Sequence, residues 1–321
     1  MTPVTPVEQI ASLWTFFATA QETHALRLGA AFVLGSILAS FVTLCAERRV
    51  AGQGIVRPGS CCSHCHQPLS VLQLLPVAGW LLQGGRCALC RAPIPWRYPV
   101  LEAGLGLILV ALCQAWGWTT AFLVHVPVLC LLLFLALIDW LTLRLPDRIT
   151  YLTLVCVLAG KSVAVLTGPA TGTLASLLSQ LFSMLTAGGL TGLFLFFVGR
   201  MARQRLNREG MGLGDVKLGL VLGALLEDLV PASLALASLL ALAATRLGLP
   251  CWAGQTREAR AAREAEQAQA SGSLGQGRSA DAAHAFGQVR ESGQGTTSVV
   301  AFGPYLVLGC LCTLVAQALM P

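Results

Sequence analysis

Three carboxylates sit where a strongly apolar chain has reason to avoid them. Asp139 closes an apolar run in ALIDWLTLRLPDRIT, Asp147 follows in the same segment, and Asp215 opens another apolar run in EGMGLGDVKLG. An ionised aspartate in lipid costs at least about 2.5 kcal/mol, so each needs a reason to be there. Two carboxyls brought together from different helices cannot both ionise easily, which leaves one acid and one base. The ionised partner can activate water and the protonated one can polarise or protonate an amide, which is aspartic peptidase chemistry. The spacing alone serves an ion or proton pathway equally well.

The three differ in their surroundings. Asp147 follows Pro146 and precedes an apolar run, where an N-cap aspartate would satisfy free backbone N–H groups. Asp139 ends a mostly apolar run with no adjacent base, and an ordinary interfacial residue would do the same. Asp215 follows Gly210, Gly212 and Gly214, so its surroundings are nearly bare of side chains and another backbone can approach. Lys217 lies two residues further on, on a different helix face, and is expected to reach for the interface rather than pair with Asp215.

A second constellation is built of thiols. Cys62-Ser-His-Cys65 and Cys87-Ala-Leu-Cys90 are two C-x2-C knuckles with 21 residues between them. Four thiolates at this spacing can meet tetrahedrally around one Zn²⁺, in the manner of a zinc ribbon. Gly59, Gly84 and Gly85 suit the tight turns that would aim the sulfurs inward. Cys61, His64 and His66 are spare donors, and the expected metal site is closed and structural. No internal repeat stands out in the chain. Of the twelve cysteines, Cys113, Cys130, Cys156, Cys310 and Cys312 lie in apolar runs, where cysteine behaves as a small hydrophobe.

The elements that must carry these residues follow from composition. Of 321 residues, 55% are hydrophobic and only 11% charged, with a mean hydropathy of +0.71. A soluble domain carries about 25% charged residues, so spans come before any other fold argument. Apolar runs at 26–46, 98–118, 121–140, 149–167, 176–199, 213–227, 231–249 and 301–320 predict an all-α polytopic bundle of about eight transmembrane helices. The sixth is short and glycine-rich. Residues 1–25 lack the basic start and cleavage site of a secretory signal, so the first run is expected to act as an uncleaved signal anchor. The net charge of +6 does not point to nucleic acid, because the basic residues lie between apolar runs instead of forming one patch.

Those basic residues alternate. Arg48, Arg49, Arg57, Arg86, Arg91 and Arg97 follow the first run, Arg144 and Arg148 the third, Arg200, Arg203, Arg205 and Arg208 the fifth, and five more arginines occupy 250–300. The intervening connections have none, and Glu227 and Asp228 follow the sixth run. Under the positive-inside rule this puts both termini outside and all three aspartates on the cytoplasmic side. Lys161, inside the fourth run, has no explanation in this pattern. The expected organisation is an N-terminal tail (1–25), a first transmembrane helix (26–46), a cytoplasmic zinc-ribbon-like loop (47–97), a transmembrane core (98–250), a flexible cytoplasmic insertion (251–300) and a last transmembrane helix (301–321). The insertion is rich in Ala, Gln, Gly and Ser and cannot bury enough apolar surface to order itself.

Taken together, these segments resemble a known family. GMGLGDVKLG, with Gly212, Gly214 and Asp215, is similar to the signature of the GxGD membrane aspartic peptidases, and in its longer form to the bacterial prepilin (type IV leader) peptidases. ALIDWLTLRLPDRIT resembles that family's first aspartate segment. The paired knuckles followed by RYPVLEAGLG, and AFGPYLVLG at 301–309, resemble its cytoplasmic loop and the start of its last span. The resemblance implies a catalytic pair of Asp139 and Asp215, with Asp147 and Lys217 in supporting motifs. It implies cleavage of prepilin and pseudopilin leaders at the cytoplasmic face of the inner membrane, in type IV pilus or type II secretion systems. It further implies N-methylation of the new terminus from S-adenosylmethionine. The chain departs from the family pattern at Thr43, where Asn is usual, and at Glu47-Arg48; both lie in the half implied to carry methyl transfer. An ion-coupled transporter would instead need midplane carboxylates and paired broken helices, and a non-catalytic zinc-ribbon scaffold would tolerate loss of either aspartate.

Overall fold

The computed structural model describes residues 24–54, 59–62, 64–65, 67–142, 144–167, 174–206, 212–246 and 302–319. The tail before residue 24, the insertion at 251–300, Gly210 and His66 lie outside the described residues. Eight long helices fall where the apolar runs predict them: α1 (His24–Val50), α2 (Arg97–Trp116), α3 (Thr120–Thr142), α4 (Asp147–Thr167), α5 (Leu174–Leu206), α6 (Leu213–Leu226), α7 (Val230–Arg246) and α8 (Gly303–Leu319). A helix satisfies its own backbone groups, which is what a bilayer demands of any segment crossing it. The breaks between helices fall at residues that cannot continue them. α2 stops at Gly117, whose φ of 65° lets its N–H reach Cys113 O. α4 starts after Pro146, whose carbonyl accepts the N–H groups of Ile149 and Thr150.

Not all eight are full spans. Among the described residues, six stretches are long and apolar enough to cross a membrane, with Leu213–Ala244 counted as one and Gly303–Leu319 shorter than the rest. α6 has 14 residues, or about 21 Å of helix, short of the roughly 30 Å hydrocarbon core. The expected sixth span is therefore a shortened helix, continued through a 3-10 turn at Glu227–Leu229 into α7. Among the described residues there is no extended strand, only the isolated bridges Cys61–Pro68 and Arg86–Pro93.

Small residues set the crossings. α1 packs closely on α2, and α5 on α6. A Cβ on Gly35 would lie 2.8 Å from Gly106 Cα, and one on Gly223 would lie 2.7 Å from Ala187 O. The backbones touch there, which is how apolar helices associate when lipid offers no hydrophobic contrast. α8 packs against α2, α3, α6 and α7, so it touches helices from early and late in the chain. The loop after α1 is tied back by Glu47, which accepts from Arg97 Nη2 (2.8 Å) and Tyr98 Oη (2.9 Å), and by Glu102, which accepts the Val77 N–H at 2.7 Å.

Candidate active site and metal centre

The described residues bring Asp139 and Asp215 together. Asp139, near the end of α3, is only 6% exposed. Asp215 stands in the first turn of α6 and lies close enough for its charge to act on Asp139. Each carboxylate accepts one backbone N–H from a glycine. Gly212 donates to Asp215 Oδ2 at 3.3 Å, inside the aspartate's own loop. Gly303, 164 residues away in sequence, donates to Asp139 Oδ2 at 3.1 Å. Gly212 is the N-cap of α6 and Asp215 its N3 residue, so this bond is the half of a capping box that glycine can make.

The segment after Asp139 clasps the start of α6. A Cβ on Gly214 would meet Leu145 Cβ at 3.2 Å, so the glycine is there to let α6 approach Leu145. One turn on, Lys217 Nζ lies 2.6 Å from Asp147 Oδ1 and 5.9 Å from the centre of the Tyr151 ring. This corrects one expectation and extends another. Asp147 is the first residue of α4, with Pro146 supplying the accepting carbonyl, and its carboxylate holds Lys217. Lys217 stays partly exposed and pairs with Asp147, not with Asp215. The expectation looked along one helix, whereas the partner arrives from another.

Lys161 also finds its explanation in a neighbouring helix. It pairs with Glu227, which also accepts from Gln180 Nε2 (2.8 Å) and Ser183 Oγ (2.7 Å). α4, α5 and the turn after α6 are joined there by one half-buried polar cluster. Glu227 is thus not the open loop residue its position after an apolar run suggests; the exposed neighbour is Asp228.

Cys62, Cys65, Cys87 and Cys90 place their Sγ atoms within 4.8 Å of one another. Cys62 and Cys90 are 3.8 Å apart and Cys65 and Cys87 are 4.0 Å apart. A tetrahedron of Zn–S bonds of about 2.3 Å has edges of about 3.8 Å, so the set fits one Zn²⁺. Backbone N–H groups of Cys65 and His64 lower the Cys62 thiol to about 6, and those of Cys90 and Leu89 lower Cys87. The knuckles are copies of each other. Cys62 N–H donates to Gln67 O and Leu69 N–H to Ser60 O; Cys87 N–H donates to Ala92 O and Ile94 N–H to Gly85 O. The sequence carries the signal as CSHCHQPL and CALCRAPI, a short repeat that a search for long periods misses. Trp80 braces the second knuckle by donating Nε1–H to Ile94 O at 3.1 Å.

S-adenosylmethionine would call for carboxylates facing its sulfonium and ammonium groups. The two carboxylates that the N-terminal helices bury or half-bury, Glu47 and Glu102, are already engaged by Arg97, Tyr98 and the Val77 N–H. Among the described residues of those helices, the carboxylates present do not assemble a site for that cofactor.

Comparison with known proteins returns one family along the chain. Residues 33–116 match the model of the bacterial peptidase A24 N-terminal domain, and residues 126–245 match that of the type IV leader peptidase family. The curated relatives that align include three proteins named prepilin leader peptidase/N-methyltransferase. The Aeromonas hydrophila protein is 35% identical over 57% of this chain and 59% of its own length. The Myxococcus xanthus protein is 33% identical over 61% and 55%. The Dickeya chrysanthemi protein is 32% identical over 63% and 68%. The chain thus spans less than two thirds of the length of the first two. No solved structure matches. Two family models in register with the aspartate helices and the cysteine loop lead to one assignment: this chain belongs to the type IV leader peptidase family.

Proposed function

We propose that this chain is an intramembrane aspartic endopeptidase that cuts the leader from prepilins or pseudopilins at the cytoplasmic face of the inner membrane. The observation that carries the reading is the meeting of Asp139 and Asp215 from different helices, each with one oxygen on a glycine N–H. One carboxylate takes a proton from water as the water oxygen bonds to the scissile carbonyl carbon. The other, protonated, gives its proton to the carbonyl oxygen. As that gem-diol collapses, one of its hydroxyl protons returns to the second carboxylate, the C=O re-forms, the C–N bond breaks, and the proton first taken from water passes to the leaving amine. The arginine alternation supports a position for both aspartates at the inner edge of the membrane, where a basic leader joins an apolar helix. The names of the relatives support the substrate class.

The zinc-ribbon-like loop has a structural role in this reading. Its four thiolates would hold Zn²⁺, which would fix the loop geometry without touching substrate. The test is to incubate the purified protein with a prepilin and look for a leader-sized mobility shift. Asp139→Asn and Asp215→Asn are expected to abolish the shift while keeping the parent's helical content. Full cleavage by either variant would remove the aspartic mechanism. Labelled S-adenosylmethionine in the same assay reads out whether the freed amine is methylated.

A further inference from the structure

We propose that Gly303 is a positioning residue for Asp139: its peptide N–H holds one carboxylate oxygen, and its missing side chain leaves the space that the carboxylate fills. The proposal rests on the reading of Asp139 and Asp215 as the catalytic pair. Its first support is an account of the donors in the first turn of α8. Pro304 has no N–H, and Tyr305 and Leu306 both donate to Phe302 O at 3.1 Å. The Gly303 N–H is the donor left over, and it donates to Asp139 Oδ2 at 3.1 Å in a buried setting.

The second support is steric and independent of the hydrogen bond. A Cβ on Gly303 would lie 2.5 Å from Asp139 Oδ2, 3.0 Å from its Cγ and 3.4 Å from its Cβ. All three nearest atoms belong to the one aspartate. Gly303 does not have a positive φ, and glycine is a poor helix former, so local conformation gives no reason for it. The glycine bonded to the other aspartate is different, since a Cβ on Gly212 would meet nothing nearer than 3.8 Å. The two catalytic carboxylates are therefore held unequally. Asp215 is held by its own loop with room to spare, and Asp139 by a remote helix with none. α8 can hold a fixed position because it packs on α2, α3, α6 and α7.

The experiment uses the full chain in detergent with a prepilin substrate. Cleavage by the parent and its loss in Asp139→Asn establish the underlying reading first; if Asp139→Asn still cleaves, that reading fails on its own account. Gly303→Ala is expected to lower kcat about 100-fold, the scale of a misplacement near 1 Å, with KM within about threefold. Gly309→Ala is the packing control on the same helix, where a Cβ would meet Ser233 O at 2.5 Å. It is expected to lower the melting temperature and keep kcat within about threefold of the parent, because it lies away from Asp139. An amide-to-ester replacement at residue 303 removes the N–H and adds no atom, so it decides the matter if Gly303→Ala does not fold. A kcat loss of at least about tenfold at unchanged KM is expected there. A folded Gly303→Ala or ester protein with parental kcat overturns the proposal. So does a Gly309→Ala protein that loses as much kcat as Gly303→Ala.

Discussion

Three ion pairs join separate elements among the described residues, and they differ in how much depends on them. Lys161 and Glu227 are each 19% exposed at the side chain. Removing the lysine strands a carboxylate with only Gln180 and Ser183 to satisfy it. Lys161→Met is expected to lower stability by about 2–3 kcal/mol, and Lys161→Met with Glu227→Gln to recover most of that, in a thermal-melt double-mutant cycle. The Asp147–Lys217 pair is more open, with the aspartate side chain 59% exposed. Asp147→Asn should cost less than about 1 kcal/mol and leave cleavage measurable, in contrast to the two aspartates proposed as the catalytic pair. A total loss of cleavage in Asp147→Asn would move it into the catalytic group.

At the scale of elements, the cysteine loop and the aspartate helices are separable units. Elemental analysis of protein purified without chelator is expected to give about one zinc per chain. Cys65→Ser combined with Cys87→Ser should abolish that zinc and make the loop protease-sensitive, while the far-ultraviolet helix signal stays near the parent's. The helix crossings make the opposite prediction. Gly106→Val places carbon where Ser36 Oγ would be 2.7 Å from its Cβ, so α1 and α2 must separate and the protein should lose helix and membrane yield. Much of this was legible in the sequence, because apolar runs and C-x2-C spacing are local patterns. All eight helices overlap the runs that predict them, and α5 runs furthest beyond its own, to Leu206 against an expected end at 199. Contacts between helices were not legible. Nothing near Lys161, Asp147 or Gly303 announces Glu227, Lys217 or Asp139, since the partners stand 66, 70 and 164 residues away. The reduced length of α6 was visible as a short run, but its continuation into α7 was not.

The whole molecule carries one more expectation, its orientation. A single cysteine at Asp228, in a background lacking other reactive thiols, should react with an impermeant reagent added to intact cells. A cysteine at Ser273, in the insertion, should be spared until the membrane is opened. The reverse pattern would put the aspartates on the wrong side for a leader that has not crossed. Asp228 is the suitable probe because its neighbour Glu227 is engaged with Lys161. The position of α8 has a consequence in time as well as in space. It is the last of the described helices to be synthesised, yet it touches four earlier ones and supplies the N–H on Asp139. A nascent chain paused within the insertion would already have both aspartates in the membrane without the helix that holds one of them. The proposed cleavage would then begin only when residue 303 emerges and inserts.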